Sequence, residues 1–437
     1  MTEGNCNLMS KRIATAGEVL SNGYILDLVR PNGSERLGLV LWNKVKTATA
    51  GQVGYKDKTY VPVEMDASYR EALLLPAGAA SGTPPTTELF GDLSILVSKY
   101  LDLSQPAVAP VVYFIFASWL ADRIPVAPFL SIVSPDRADG LLLLELLSLL
   151  CRRPLLLTAD GPADLWSLPF HLRPTLLLYG TGLTPPVRKF LLASNARGVL
   201  TPRKGKALDL YCAKAFCSPE PLPDRALANS ALQIVLHPKR RELPTLTAAE
   251  SRGISELYQP ILLRYRLSKL QSVQAPKLDL QGLTAQSQGI ARSLAACVVD
   301  DEELQSGIVP LLRRQEREGQ VDRSTGLETV VLEALLLNCH NGKGSTLRAA
   351  ELAETVNSIL AAKGDSMKLS PESVGWKLKV LGFRTEPIGA SGNGLWLLNE
   401  IRSKIHDLAL ENGLLLDAQI SADGCPQCAR LRETVRS

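Results

Sequence analysis

Aromatic residues are scarce in this sequence, at 5% of 437 positions, and there are only four histidines, His171, His237, His340 and His406. With so few imidazoles, and no G-x-S-x-G elbow to accompany them, nucleophilic triads are set aside as a source of chemistry. Eight cysteines (Cys6, Cys151, Cys212, Cys217, Cys297, Cys339, Cys425 and Cys428) are scattered without the rhythm of a disulfide framework, which points to a reduced, cytoplasmic protein. Long hydrophobic runs are also missing. The most apolar stretch, Ala107 to Ala121, is about 15 residues and closes at Asp122 and Arg123, short of the roughly 20 needed to span a bilayer. No basic region followed by an apolar core opens the chain, so neither a secretory signal nor a membrane partner is expected. Neither sign of charge dominates: 48 Lys and Arg stand against 44 Asp and Glu, so any nucleic-acid contact must come from a local patch.

What is present is leucine in abundance and a stretch of alternating element types from Phe129 to Arg203. An apolar strand (Phe129 to Val133) is followed by the turn Ser134-Pro-Asp-Arg-Ala-Asp-Gly140 and a leucine-rich helix from Leu141 to about Cys151. A second strand (Pro154 to Thr158), a third apolar run (Thr175 to Tyr179), a helix (Pro186 to about Ala193) and Asn195 come next. Strands alternating with helices over short connections predict a parallel, doubly covered sheet. A strand running through a tight turn into a helix is also the geometry of a phosphate loop.

The chemistry of such a loop is largely missing. G-x-x-x-x-G-K-[ST] needs glycines for the wrap, a lysine for charge and a hydroxyl for Mg²⁺. Here Ser134 stands for the first glycine, and Asp139, Gly140 and Leu141 fall where Gly-Lys-Ser/Thr belongs. The third strand ends Leu178-Tyr179-Gly180-Thr181, without a metal-holding acidic pair. Ser134, Asp139 and Gly140 are therefore the residues of this turn that face any ligand, and Asp136 and Arg137 offer it charge.

Before this core, residues 1–80 read as a small β-rich module, with hairpins at Gly23 to Trp42 and Gly54 to Val63, and Pro76 to Thr87 as a linker. The core is taken as residues 81–275. It contains a basic loop, Arg203, Lys204 and Lys206, ahead of a strand from about Leu208 to Phe216. Residues 276–325 are a polar helical connector.

Within residues 326–412, a helix (Leu327 to Leu337), a second starting near Ser345 and a third capped by Ser370 with Pro371 at its first position precede a glycine-rich hairpin, Gly389 to Gly394. Three helices followed by a hairpin is the order of a winged helix-turn-helix. Lys377 and Lys379 lie on its candidate recognition helix, Arg348 early in the second helix and Arg384 at the wing, where DNA phosphates would be met, with Glu372 or Ser373 near base edges. The tail, 413–437, carries Cys425-Pro-Gln-Cys428, half of a zinc site. Its remaining ligands must come from Cys339-His340 or from a second chain.

With these pieces placed, the chain resembles the ATPase portion of plasmid- and phage-type primase-helicase proteins, AAA-type P-loop modules that often carry a C-terminal winged helix. The resemblance rests on Phe129 to Leu150, Thr175 to Tyr179, Leu191-Leu-Ala-Ser-Asn195, Tyr211-Cys-Ala-Lys-Ala-Phe216, Asp224-Arg225 and Ser345 to Leu398. It implies a γ-phosphate-sensing role for Asn195, a trans-acting role for Arg225, ATP with Mg²⁺ as cofactor, and a homo-oligomer or a replication or mobile-element partner. The expectation is thus an α/β, P-loop/AAA-like core between a β-rich module and a winged helix, in a non-catalytic or weakly nucleotide-binding protein that binds DNA or assembles on it. An active NTPase with an unorthodox phosphate site and an oligomeric scaffold are the alternatives.

Overall fold

In the computed structural model, residues 11–32, 34–103, 105–159, 164–203, 205–222, 224–237, 242–324, 326–341, 345–362, 367–388, 392–414, 425–428 and 430–431 are described. The chain divides into two units, 1–313 and 314–437.

The first unit opens with short strands. β1 (Lys11–Thr15) pairs in parallel with β7 (Lys58–Pro62), which forms an antiparallel hairpin with β6 (Val53–Tyr55). β2 (Gly17–Val19), β3 (Ile25–Val29), β4 (Gly38–Trp42) and β5 (Thr47–Ala50) make a separate antiparallel sheet in sequence order. Both hairpins expected from the sequence are therefore present. After the short α1 (Ala67–Ala72), the Pro/Gly-rich segment lies against the fold, with Ala80 N–H donating to the Pro260 carbonyl at 3.0 Å. It leads into α2 (Thr86–Tyr100) and α3 (Gln105–Leu120), which is almost wholly buried.

Five strands, β8 (Phe129–Val133), β9 (Pro154–Thr158), β10 (Thr175–Tyr179), β13 (Lys214–Ser218) and β14 (Leu232–Val235), form an all-parallel sheet in the order β14-β8-β13-β10-β9. Side chains alternate across a strand, so the three central strands, β8, β13 and β10, each serve two cores. Leu130, Ile132, Leu177, Ala215 and Cys217 join the core built by α2, α3, α4 (Arg137–Leu150), α7 (Ala248–Lys269) and α8 (Ala285–Ala295). Phe129, Leu176, Leu178 and Phe216 join a core with α5 (Pro185–Ala193), α6 (Arg225–Asn229) and apolar residues of the opening strands, among them Leu26, Leu28 and Tyr60. A parallel sheet covered on both faces fits the P-loop/AAA-like core expected from the sequence.

Three boundaries differ from the sequence reading. The helix after β8 starts at Arg137 rather than Leu141, because the Asp136 carboxylate accepts from Ala138 N–H at 2.7 Å and caps it. The run expected as one strand to Phe216 is broken into β12 (Lys206–Asp209), hairpinned with β11 (Leu200–Arg203), and β13. Between them Tyr211 turns away and donates its hydroxyl to the Ile124 carbonyl at 2.8 Å. Third, Thr346–Arg348 is a strand and not the start of a helix.

That strand belongs to the second unit. The division between the units falls within α9 (Glu302–Ser324), and the second unit continues as α10 (Leu327–Asn341), β15 (Thr346–Arg348), α11 (Ala349–Ala362), α12 (Pro371–Val380), β16 (Glu386–Pro387), β17 (Asn393–Trp396) and α13 (Asn399–Glu411). Its sheet runs β15-β17-β16, antiparallel throughout. One core joins its helices through Val331, Leu335, Leu352, Val356, Leu378 and Ile405. Among the described residues no helix is long and apolar enough to cross a membrane.

A buried charge cluster ties the opening strands to the parallel sheet. Asp27 on β3 accepts from Arg152 at 3.0 Å, from Arg153, and from Arg266 on α7 at 2.5 Å. Arg266 also grips Asp122 at 2.5 and 2.6 Å. Burial alone would raise the Asp27 pKa, but the three guanidiniums outweigh it and hold the carboxyl well below the usual carboxylate range. Replacing Asp27 with Asn removes the counter-charge of Arg152 and Arg153, leaves Arg266 with Asp122 alone, and is expected to cost about 3–5 kcal/mol in urea unfolding. A depressed folded pKa contributes stability at pH values above the unfolded carboxylate pKa, near about 4, and loses it as the pH falls further. The wild-type melting temperature should therefore hold from neutrality to about pH 5 and drop below about pH 4, and Asp27→Asn should flatten that acid limb.

Candidate functional site

Ligands in open parallel sheets bind outside the carboxyl ends of the strands, near the point where the strand order reverses. In this sheet that place is the carboxyl end of β8, and it is closely filled. Only Ser134, Pro135 and Asp136 separate β8 from α4. A phosphate loop keeps its successive N–H groups for the anion, whereas those of Ser134, Ala138 and Gly140 are spent inside the protein. Ser134 N–H donates to the Ser218 carbonyl at 2.9 Å, Pro135 has no N–H, Ala138 N–H goes to the Asp136 carboxylate, and Gly140 N–H goes to the Asp136 carbonyl at 3.2 Å.

Asp139 and Gly140 thus lie within the first turn of α4, with Asp139 buried. Gly140 serves close packing. A Cβ there would stand 2.7 Å from the Cys217 sulfur and 3.0 Å from the Ser134 Cβ. Two carboxylates, Asp136 and Asp139, occupy the positive end of the helix, the opposite of what a phosphate requires. The guanidinium of Arg137 is turned over the Tyr179 ring, 5.2 Å from its centroid, at the end of β10.

Asn195 is at the other end of the sheet. Its carbonyl accepts from Ala127 N–H at 2.8 Å, and the carbonyl of the adjacent Ser194 accepts from the buried Lys214 ammonium at 3.1 Å. β8 and the residues flanking it separate Ala127 from Ser134, about 23 Å at roughly 3.3 Å per residue. Asn195 therefore does not meet Ser134 and Gly140. The group that does stand against the turn is Ser218, which the sequence reading did not single out. Arg225 begins α6, capped by Asp224, whose carboxylate accepts from Leu227 N–H at 2.9 Å and pairs with Arg188. The Arg225 side chain lies outside the described residues.

Of the basic loop, Arg203 and Lys206 face each other as the last pair of the β11–β12 hairpin, which turns through Gly205 at φ +74°. Lys204 lies outside the described residues. Arg203 stacks on the Trp166 ring at 4.8 Å, whereas Lys206 is exposed.

In the second unit the four cations divide. Lys377 is half-buried and bonded to Glu328 on α10 at 2.5 Å, so it holds α12 to α10. Arg348 ends β15, 4.0 Å from Glu351. Lys379 and Arg384 are exposed. The solvent face of α12 presents Glu372, Trp376, Lys379 and Val380, with Trp376 61% and Val380 54% exposed. The sequence reading did not single out those two apolar side chains. Elsewhere in this unit, Cys425 and Cys428 converge on His340 and His406.

Gly140→Ala is expected to destabilise the chain by about 1–3 kcal/mol by forcing α4 off β13. Adding Cys217→Ala should recover much of that loss, measured as a double-mutant cycle in urea unfolding. Additive losses would mean that the two positions do not touch.

No family model matches the sequence, and no curated protein matches it. Among solved structures, the chain is similar to a full-length MCM homolog from Methanopyrus kandleri, at 12% identity over 67% of this chain and 78% of that one, with a TM-score of 0.38. It is similar to the C-terminal region of NrS-1 in its apo form, at 12% identity over 85% and 96% with a TM-score of 0.33. It is also similar to the Aeropyrum pernix ORC1 protein in complex with DNA, at 16% identity over 74% and 93% with a TM-score of 0.20.

Proposed function

We propose that this protein is a helicase- or ATPase-like DNA-associated protein whose α/β core does not turn over nucleotide and whose second unit binds duplex DNA as a winged helix. The observation that carries the first half is the β8–α4 junction. Asp136 caps the helix with its own carboxylate, and Cys217 fills the space beside Gly140, so the place of a phosphate is taken by protein groups. Support for the second half comes from the element order α10-β15-α11-α12-β16-β17 and from the exposed face of α12. In this reading α12 enters the major groove, Lys379 and Arg384 meet phosphates, and Trp376 and Val380 make the apolar contacts that thymine methyl groups offer. Lys206, at the tip of its hairpin, is a further candidate for a backbone contact.

The test is fluorescence anisotropy on duplex and single-stranded DNA across a salt series, with and without ATP and Mg²⁺. Binding should weaken with salt and be indifferent to ATP. Lys379→Ala and Arg384→Ala should each lower the salt slope by about 0.9. Lys377→Ala should instead lower the stability of the second unit, because its ammonium is committed to Glu328. Phosphate release with ATP and Mg²⁺ would overturn the non-catalytic core, and absence of DNA binding under every condition would leave a scaffold.

A further inference from the structure

Four side chains distant in sequence converge at one end of the second unit. His340 lies near the C-terminus of α10, His406 is in α13, and Cys425 and Cys428 bracket a single turn. One ligand atom from each falls within a group whose members all lie within 4.8 Å of one another. The two Nε2 atoms are 3.1 Å apart, the Cys425 sulfur is 3.4 Å from His406 Nε2, and the Cys428 sulfur is 3.3 Å from His340 Nε2. A tetrahedral Zn²⁺ with Zn–N near 2.0–2.1 Å and Zn–S near 2.3 Å requires N···N edges of about 3.3 Å and N···S edges of about 3.6 Å. These three edges match those of a single small ion. They are too short to leave room for a bridging cluster or for a water between the ligands.

The surroundings prepare the ligands. His406 Nδ1 lies 2.7 Å from the Arg402 carbonyl, which only accepts, so Nδ1 carries the proton and the Nε2 lone pair points at the other three ligands. The Arg402 guanidinium donates to the Cys339 carbonyl at 2.8 Å and to the Leu397 carbonyl at 3.0 Å, binding the start of α13 to the residue before His340. Arg430 pairs with Asp407 at 2.6 Å, fixing the cysteine turn beside His406. Two histidines and two cysteines on three separate pieces of chain are a poor arrangement for packing alone, but they are a closed N₂S₂ donor set.

We propose that His340, His406, Cys425 and Cys428 of one chain hold a structural Zn²⁺ that fastens the cysteine turn onto α10 and α13. All four positions come from the protein, so no site remains for water or substrate and the ion is structural. The sequence offered Cys339-His340 or a second chain to complete the pair. Cys339 instead packs into the core of the unit, and its neighbour His340 turns to the ligands.

The test uses the full chain purified without chelator. Elemental analysis should find about one zinc per chain, and Co²⁺ exchange should give the visible and thiolate charge-transfer bands of a tetrahedral N₂S₂ site. Cys428→Ser, His340→Asn and His406→Asn should each lose the metal, whereas Cys339→Ser should keep it. Because a ligand variant can also unfold the unit, DTNB reactivity of the wild-type chain is followed with and without chelator. Cys425 and Cys428 should be protected until zinc is removed. A folded wild-type chain that holds no zinc, or that holds iron instead, would overturn the proposal. So would zinc retained when both histidines are replaced, since the cysteines would then be recruiting ligands elsewhere.

Discussion

The architecture of the first unit depends on a single buried carboxylate. Asp27 sits on a strand of the opening antiparallel sheet, yet its partners come from the α4–β9 junction (Arg152 and Arg153) and from α7 (Arg266). Arg266 passes the connection on to Asp122, just after α3. Three guanidiniums against two carboxylates leave an excess positive charge, which backbone carbonyls solvate: Arg153 donates to those of Ala16 and Leu172, and Arg266 to that of Trp119. Such a cluster is costly to desolvate and tolerant only of its own geometry, so it specifies position more than it adds stability. It fixes where the opening strands lie on the parallel sheet, and with them one wall of the second core.

The same sheet explains why the nucleotide-like turn is so tightly closed. With β13 inserted between β8 and β10, the start of α4 must cross directly over β13, and the crossing is close enough to exclude a Cβ at residue 140. Glycine is required there to let a helix approach a strand. In a phosphate loop it is required to let backbone approach a ligand. The two uses look identical in sequence, and here the neighbouring Cys217 distinguishes them.

Much of the fold was legible because its signals are local. Apolar runs bounded by Gly, Pro and Asp revealed all the strands of the parallel sheet except the exact start of β13, and the Pro/Asn/Gly turn revealed the β3–β4 hairpin. The start of α4 was misplaced because Asp136 and Asp139-Gly140 are both acceptable helix boundaries by residue type. The cap made by the Asp136 carboxylate on Ala138 N–H chooses between them. Asn195 was assigned to the turn by the family resemblance alone, whereas the pairing of its backbone with Ala127 puts it at the opposite end of the sheet.

The sequence by itself determined the local elements: strands from apolar runs, helices from caps and periodicity, and a turn without the lysine and hydroxyl of a phosphate loop. The tertiary structure alone decided which charges are buried around Asp27, which lysine of α12 is committed to Glu328 and which is open, and which histidines join Cys425 and Cys428. The reason is one of range. Capping and periodicity act within a few residues, whereas burial, counter-charge and ligand geometry depend on surfaces that meet from parts of the chain far apart. His340 and His406, 66 residues apart, come to 3.1 Å only because α10 and α13 share a core.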